Sequence, residues 1–496
     1  MQRFERWALP LLVGLMLLSL FVTVHPWYDP TNDGAMYLLT ARALEAGDGY
    51  SMLGMPFRIR PPGFAWLLSF VTSMRDIDFQ VVNVFVSLWG VAGCAALFVY
   101  LRDRLTWVVA FLVALALWLN PLYQELCNQP MSDVPGLTLA LGCLLLERRA
   151  ESERSLARDA LLGLAIGLAT YVRTLTLILV PAIFLARLFR RSLDRRFVIL
   201  AAVVFAVQLP WSIRNANHAF EEPAEQTLLH SYSAGMFHED GGDPNSRRLE
   251  LGEIFARIPE NVANGTAVLG RRLVMPGKVS RSELREEEAF EPIARVLGGL
   301  LVACLAYIAF KRREAGELWA LASLAILAVY FGFAPRLLLP AFAFALPAAI
   351  ELVQDLLRAR GPAIAGTLLA LLALGDARPQ RDWDEIEREH RQLERVCERF
   401  EAQLDESDVL ASARGWHYAV FLERDVYTLE FAARRAMNAQ TKRVDPRSIE
   451  RLIDEHGITA VLLSPKRARD RVELLPYFEA RYGPQTDPVA RVYEVR

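Results

Sequence analysis

Apolar residues in this chain come in long unbroken runs, not in the short alternations of a water-soluble domain. Such runs occupy 7–24, 81–100, 197–211, 296–310 and 318–333. A helix needs roughly 20 apolar residues to cross the hydrocarbon core of a bilayer, and several of these runs approach that length. Hydrocarbon offers the backbone no hydrogen-bond partner, so the runs predict helices. A barrel would instead show short alternating strands. Taken with shorter apolar stretches, the pattern predicts about eleven spans, at 7–25, 79–101, 105–120, 133–147, 159–172, 174–190, 196–212, 293–310, 317–334, 336–357 and 361–375.

Arginine-rich clusters recur between alternate spans, at Arg3/Arg6, Arg102/Arg104, Arg148/Arg149/Arg154/Arg158, Arg187/Arg190/Arg191/Arg195/Arg196, Lys311/Arg312/Arg313 and Arg358/Arg360. The excess of basic residues on cytoplasmic loops places these inside. The loops at 26–78, 121–133, 172–174, 212–292 and 334–336 then face outward. An odd number of spans starting inside leaves the C-terminus outside. Residues 33–46 have helical spacing and 61–74 read as an amphipathic or re-entrant segment.

From residue 376 the composition changes and charge becomes dense. The pattern divides the chain into a membrane part, 1–375, and a small α/β part, 376–496. In the latter, helices are expected at 381–404, 448–456 and 471–481, and strands at 408–412, 425–429, 459–464 and 490–495. The tail has no Gly-rich phosphate loop of the GxGxxG or GxxxxGK[ST] type, which argues against a nucleotide-sugar site there.

A net charge of −2 with no basic tail excludes nucleic acid as a partner. The five cysteines show no CxxC or metal spacing. Cys127 and Cys397 fall on the same predicted side, where a bridge between them would be allowed. Asp29 and Asp33 do not form an adjacent acidic pair, so no metal is required, although a divalent cation stays open.

Five elements in one order carry a family resemblance. They are HPWYDPTNDGAMY (25–37) with GDGY (47–50) and RPPGF (60–64), PMSDVP (130–135), GLAIGLATYVR (163–173), PWSIRN (210–215) and RLLLP (336–340). Together they resemble the GT-C membrane glycosyltransferases, especially bacterial relatives of the protein O-mannosyltransferases and aminoarabinose transferases. The resemblance covers about residues 7–358. It implies a polytopic helical fold in a bacterial inner membrane, a polyprenyl-phosphate sugar donor, inversion at the sugar, and a cell-envelope acceptor that is a lipid, glycan or protein.

Chemistry at the outer face needs a base for the acceptor and cations for the departing lipid phosphate. Asp33 is the candidate general base; its alternative role is the N-cap of the helix that follows. Asp133 is a second candidate catalytic acid, or the start of the next helix with Pro135 in its first turn. Arg336, Arg60, Arg173 and Arg214 lie at the outer boundary against the basic-inside trend, and are candidate phosphate ligands. Lipid headgroups or nearby carboxylates could pair them instead. Tyr37, Glu125, His230 and Tyr232 are candidate substrate contacts; the two loop residues could equally be exposed side chains. The competing class is a lipid or solute transporter, but transporters place ionisable groups at the midplane, and here they cluster at the boundary.

Overall fold

The computed structural model describes residues 2–218, 237–238, 247–274, 284–330, 334–357, 366–367, 383–413, 415–429, 446–465 and 474–495. His230 and Tyr232, and all but two residues of the expected span at 361–375, lie outside the described residues.

In chain order the helices of the membrane part are α1 (Gln2–Thr23), α2 (Asn32–Ala46), α3 (Gly63–Leu68), α4 (Phe79–Leu101), α5 (Trp107–Leu119), α6 (Pro121–Cys127), α7 (Asp133–Glu153), α8 (Leu156–Val172), α9 (Leu179–Phe189), α10 (Arg195–Asn217), α11 (Leu251–Ala256), α12 (Ile258–Val274), α13 (Leu284–Arg312), α14 (Ala315–Val329) and α15 (Leu339–Leu357). Single 3-10 turns, Thr174–Ile178 and Pro335–Leu338, lead into α9 and α15. Among the described residues, five helices are long and apolar enough to cross a membrane alone, and α5 with α6 makes a sixth candidate bent by 62°. The protein is thus a multi-pass membrane protein. The bend has a local cause. Asn120 leaves the helical region, its side chain accepts from Leu122 and Tyr123, and Pro121 starts α6 where no N–H is needed.

The arginines that sequence reading counts as cytoplasmic charge have a second role. Arg104 is buried and pairs with Glu317 at 2.5 Å and Glu351 at 2.6 Å, while Arg148 reaches Glu314 at 2.7 Å. Arg187 is buried against Asp159 and Glu151. These clusters tie helix ends together on the side away from Asp33. Among the described residues no disulfide is formed, so Cys127 and Cys397 are not bridged to each other.

The C-terminal segment carries α16 (Trp383–Glu401), α17 (Gly415–Leu422), α18 (Pro446–His456) and α19 (Leu475–Tyr482) around a four-stranded sheet. Numbering from the small hairpin β1 (Ser51–Met52) and β2 (Met55–Pro56), the strands are β3 (Leu410–Ser412), β4 (Val426–Thr428), β5 (Ala460–Leu463) and β6 (Arg491–Glu494). Their order is β4-β3-β5-β6, with β3 parallel to both neighbours and β6 antiparallel to β5. Every residue of β5 is buried, as expected of a central strand covered on both faces.

Candidate active site

The site is built on the first turn of α2. Thr31 is extended (φ −120°, ψ 143°) and its hydroxyl accepts from Gly34 N, so Thr31, not Asp33, caps the helix. That leaves the Asp33 carboxylate for other partners. Oδ1 accepts from Arg60 Nη2 at 2.5 Å, and Oδ2 pairs with Arg336 Nη2. Arg60 comes from the loop before α3 and Arg336 from the 3-10 turn before α15, so three separated segments meet at one carboxylate. Burial works to raise this carboxyl, but Arg60, Arg336 and Arg173 outweigh it and hold it below the ordinary carboxylate range.

Asp133 stands at the start of α7, almost wholly buried. Its Oδ1 lies 2.7 Å from Arg173 Nη2 and 4.0 Å from Arg336 Nε. The latter nitrogen is buried and makes no hydrogen bond among the described residues. Arg173 reaches Asp133 by lying flat across Gly136: a Cβ there would come within 2.6 Å of the Arg173 side chain. Ser132 links the two halves. Its hydroxyl pairs with Tyr37 OH at 2.8 Å and accepts from Arg173 Nη1 at 3.3 Å. The Arg60 guanidinium sits 5.7 Å from the centre of the Tyr37 ring.

Asp33, Tyr37, Arg60, Ser132, Arg173 and Arg336 line one cavity of about 740 Å³. Its far wall is apolar, from Leu177, Ile178, Ile326 and Leu337. The cavity therefore joins a cluster of fixed cations to a hydrocarbon-like surface. It can hold an anionic head and an apolar chain together, with a carboxylate beside the head.

Three expected site residues do not line this cavity: Asp133 lies behind it against Arg173, and Arg214 and Glu125 are placed elsewhere. Arg214 donates to the carbonyls of Phe57 (2.8 Å) and Tyr50 (2.7 Å) and lies beside the Trp211 ring. It lines a second, apolar cavity of about 970 Å³ with Trp66 and Trp89 and holds the β1–β2 hairpin. Glu125 sits half-buried in α6 and lines neither cavity. Ser132 lies inside the PMSDVP motif and Gly136 directly after it, and neither is marked by sequence as a site residue. Their signal was proximity to Asp133 within one turn of chain, which does not by itself reveal Tyr37 or Arg173 as partners.

The fold is similar to that of GT-C membrane glycosyltransferases. Residues 59–213 match the model of the dolichyl-phosphate-mannose-protein mannosyltransferase family. The structure is similar to ArnT from Cupriavidus metallidurans bound to undecaprenyl phosphate, at 13% identity and TM-score 0.60, covering 97% of each chain. It is also similar to the oligosaccharyltransferase AglB from Archaeoglobus fulgidus in complex with an inhibitory peptide and a dolichol-phosphate, at 14% identity and TM-score 0.54, covering 93% of this chain and 69% of that one. No curated protein matches the chain.

Proposed function

We propose that this protein is a glycosyltransferase that moves a sugar from a polyprenyl-phosphate donor to a cell-envelope acceptor at the outer face of a bacterial inner membrane. The observation that carries the reading is the shared cavity. A carboxylate, three guanidiniums and an apolar wall meet the needs of a base, a lipid phosphate and a prenyl chain at once. The lipid phosphates bound by ArnT and AglB support it by analogy of fold.

In the proposed reaction Asp33 accepts the proton of an acceptor hydroxyl or amine as the acceptor atom bonds to the anomeric carbon. The bond from that carbon to the phosphate oxygen breaks, and polyprenyl phosphate leaves with the bonding electrons. Arg336 and Arg60 receive the developing charge, with Arg173 behind them. Asp133 holds Arg173 in place. Tyr37 and Ser132 face the sugar. The buried Arg336 Nε supplies a further donor to the phosphate.

The guanidiniums supply the positive charge, so the proposal includes no metal, and EDTA should leave transfer unchanged. The eleven-span topology, with the N-terminus cytoplasmic and residues 376–496 forming an α/β unit outside, belongs to the same proposal. It places Asp33 just beyond the hydrocarbon, where the donor's sugar lies.

The test is Asp33→Asn in a deletion strain, with envelope glycans and lipids read by mass spectrometry. Loss of the base should lower product by roughly 10²–10⁴-fold with the protein still present in the membrane. Product at the wild-type level would reject Asp33 as the base.

A further inference from the structure

The C-terminal segment lies outside the stretch that matches the mannosyltransferase family, which ends at residue 213. It nevertheless touches the turn that carries Asp33. His417, buried in the first turn of α17, has Nε2 3.0 Å from Asn32 Oδ1. Its Nδ1 is 3.4 Å from Tyr28 OH. The tautomer with hydrogen on Nε2 satisfies both contacts: the ring donates to Asn32 and accepts from Tyr28. Asn32 is the first residue of α2 and Asp33 the second.

A second histidine works on the same strand of chain. His390 Nδ1 accepts from Tyr28 N at 3.2 Å, and its Nε2 faces Glu394 at 3.2 Å. Tyr28 is also stacked on Phe79 and packed against Phe421 of α17. Further along, Arg42 on α2 donates to the carbonyls of Ala419 and Val420 at 2.8 Å each, and to Met74 O at 2.8 Å. Arginine at the carbonyl end of α17 also suits that helix's dipole. Helix α2 is therefore gripped near its beginning by His417 and ten residues later through Arg42, both by α17.

We infer that His417 is a positioning residue for the candidate base: through Asn32 it fixes the first turn of α2 and hence the aim of Asp33 into the cavity. The role rests on Asp33 being the base. It gives the C-terminal segment a part in catalysis without any contact with substrate. Arg60, Arg173 and Arg336 sit on other segments and do not depend on this bond for their backbone position. Loss of the imidazole should thus act on transfer and spare phosphate binding.

The experiment compares His417→Ala and His417→Gln in the full chain. Transfer is read as envelope product in membranes of the deletion strain, and binding as undecaprenyl phosphate affinity in nanodiscs. The expected result for His417→Ala is a fall in transfer of tenfold to roughly a hundredfold, with affinity within about twofold. Glutamine, which can donate to Asn32 at similar reach, should restore most of the loss. Wild-type transfer in His417→Ala overturns the inference. So does equal loss of transfer and of affinity in both variants, which marks a purely structural role. Should His417→Ala fail to accumulate, Asn32→Ala removes the same bond from the other side, and wild-type transfer there overturns it equally. Asp33→Asn run in parallel separates the two readings: if it keeps transfer, the base assignment fails, whatever His417 does.

Discussion

Asp33 is an acid with two arginines on it, and that pairing sets its behaviour with pH. Its carboxyl is held below the ordinary value of about 3.9. A depressed carboxyl contributes stability above its unfolded value and loses it as pH falls through its folded value. The stability difference between wild type and Asp33→Asn should therefore be constant from pH 7 to about pH 4 and shrink below that. Paired melting curves across pH check it, and a difference unchanged down to about pH 3 would contradict the pairing. At this scale the sequence made Asp33 and its arginines visible because charged residues at a membrane boundary are costly and stand out. It could not separate base from cap. Thr31 takes the capping bond and leaves the Asp33 carboxylate to the arginines, a choice among neighbouring good caps that local pattern leaves open. Nor could it tell Arg214 from Arg336, since both are boundary arginines. Only the fold sends one to backbone carbonyls of the β1–β2 hairpin and the other to Asp33.

At the scale of elements, the site depends on α7 and α8 approaching closely where Arg173 leaves α8. Gly136 makes room for that side chain one turn after Asp133. Gly136→Ala should push Arg173 off Asp133, destabilise the protein by about 1–3 kcal/mol as overpacking does, and weaken undecaprenyl phosphate binding. Thermal melts and nanodisc binding measure both effects; an alanine variant with wild-type affinity would show that Arg173 can be displaced without consequence. The end of α2 is equally local in origin. Gly47 takes a left-handed conformation (φ 85°) and its N–H closes the last turn. Periodicity marked this helix to within a residue at its end, because a glycine stop follows the last apolar position. The short α3 was harder: six residues after two prolines make fewer than two turns, too few for a repeating apolar stripe.

Over the whole molecule, the helices are held at the end away from Asp33 by buried ion clusters. Glu317→Gln would leave Arg104 with Glu351 as its close partner, since Glu314 is 3.6 Å away. Removing one member of a buried pair costs about 3–5 kcal/mol, and the remaining partner places this case near 3 kcal/mol. Thermal melts in detergent should fall accordingly while undecaprenyl phosphate affinity stays unchanged, because the cluster does not line the cavity. An unaltered melting temperature would show that the cluster contributes nothing. These pairs were hidden from sequence reading. Arg104, Arg148 and Arg187 looked like cytoplasmic surface charge, and their acids, Glu314, Glu317, Glu351 and Asp159, belong to helices distant in sequence. The strands β3 to β6 fall inside the stretches expected for them, because short apolar runs between charged helices are readable one at a time. What no run announces is that α17 packs on α2, nearly four hundred residues earlier; only a long-range contact brings His417 to Asn32.

In the proposed reaction the lipid phosphate shares its arginines with Asp33. The direct measurement is the affinity of purified protein in nanodiscs for undecaprenyl phosphate, in wild type, Arg336→Gln, Arg60→Gln and Asp33→Asn. Each arginine variant should bind at least about tenfold more weakly, the loss of one charge-assisted contact. Asp33→Asn should bind as tightly as wild type or more so, since it removes the carboxylate that competes for the same guanidiniums. Wild-type affinity in both arginine variants would place the phosphate elsewhere and contradict the account.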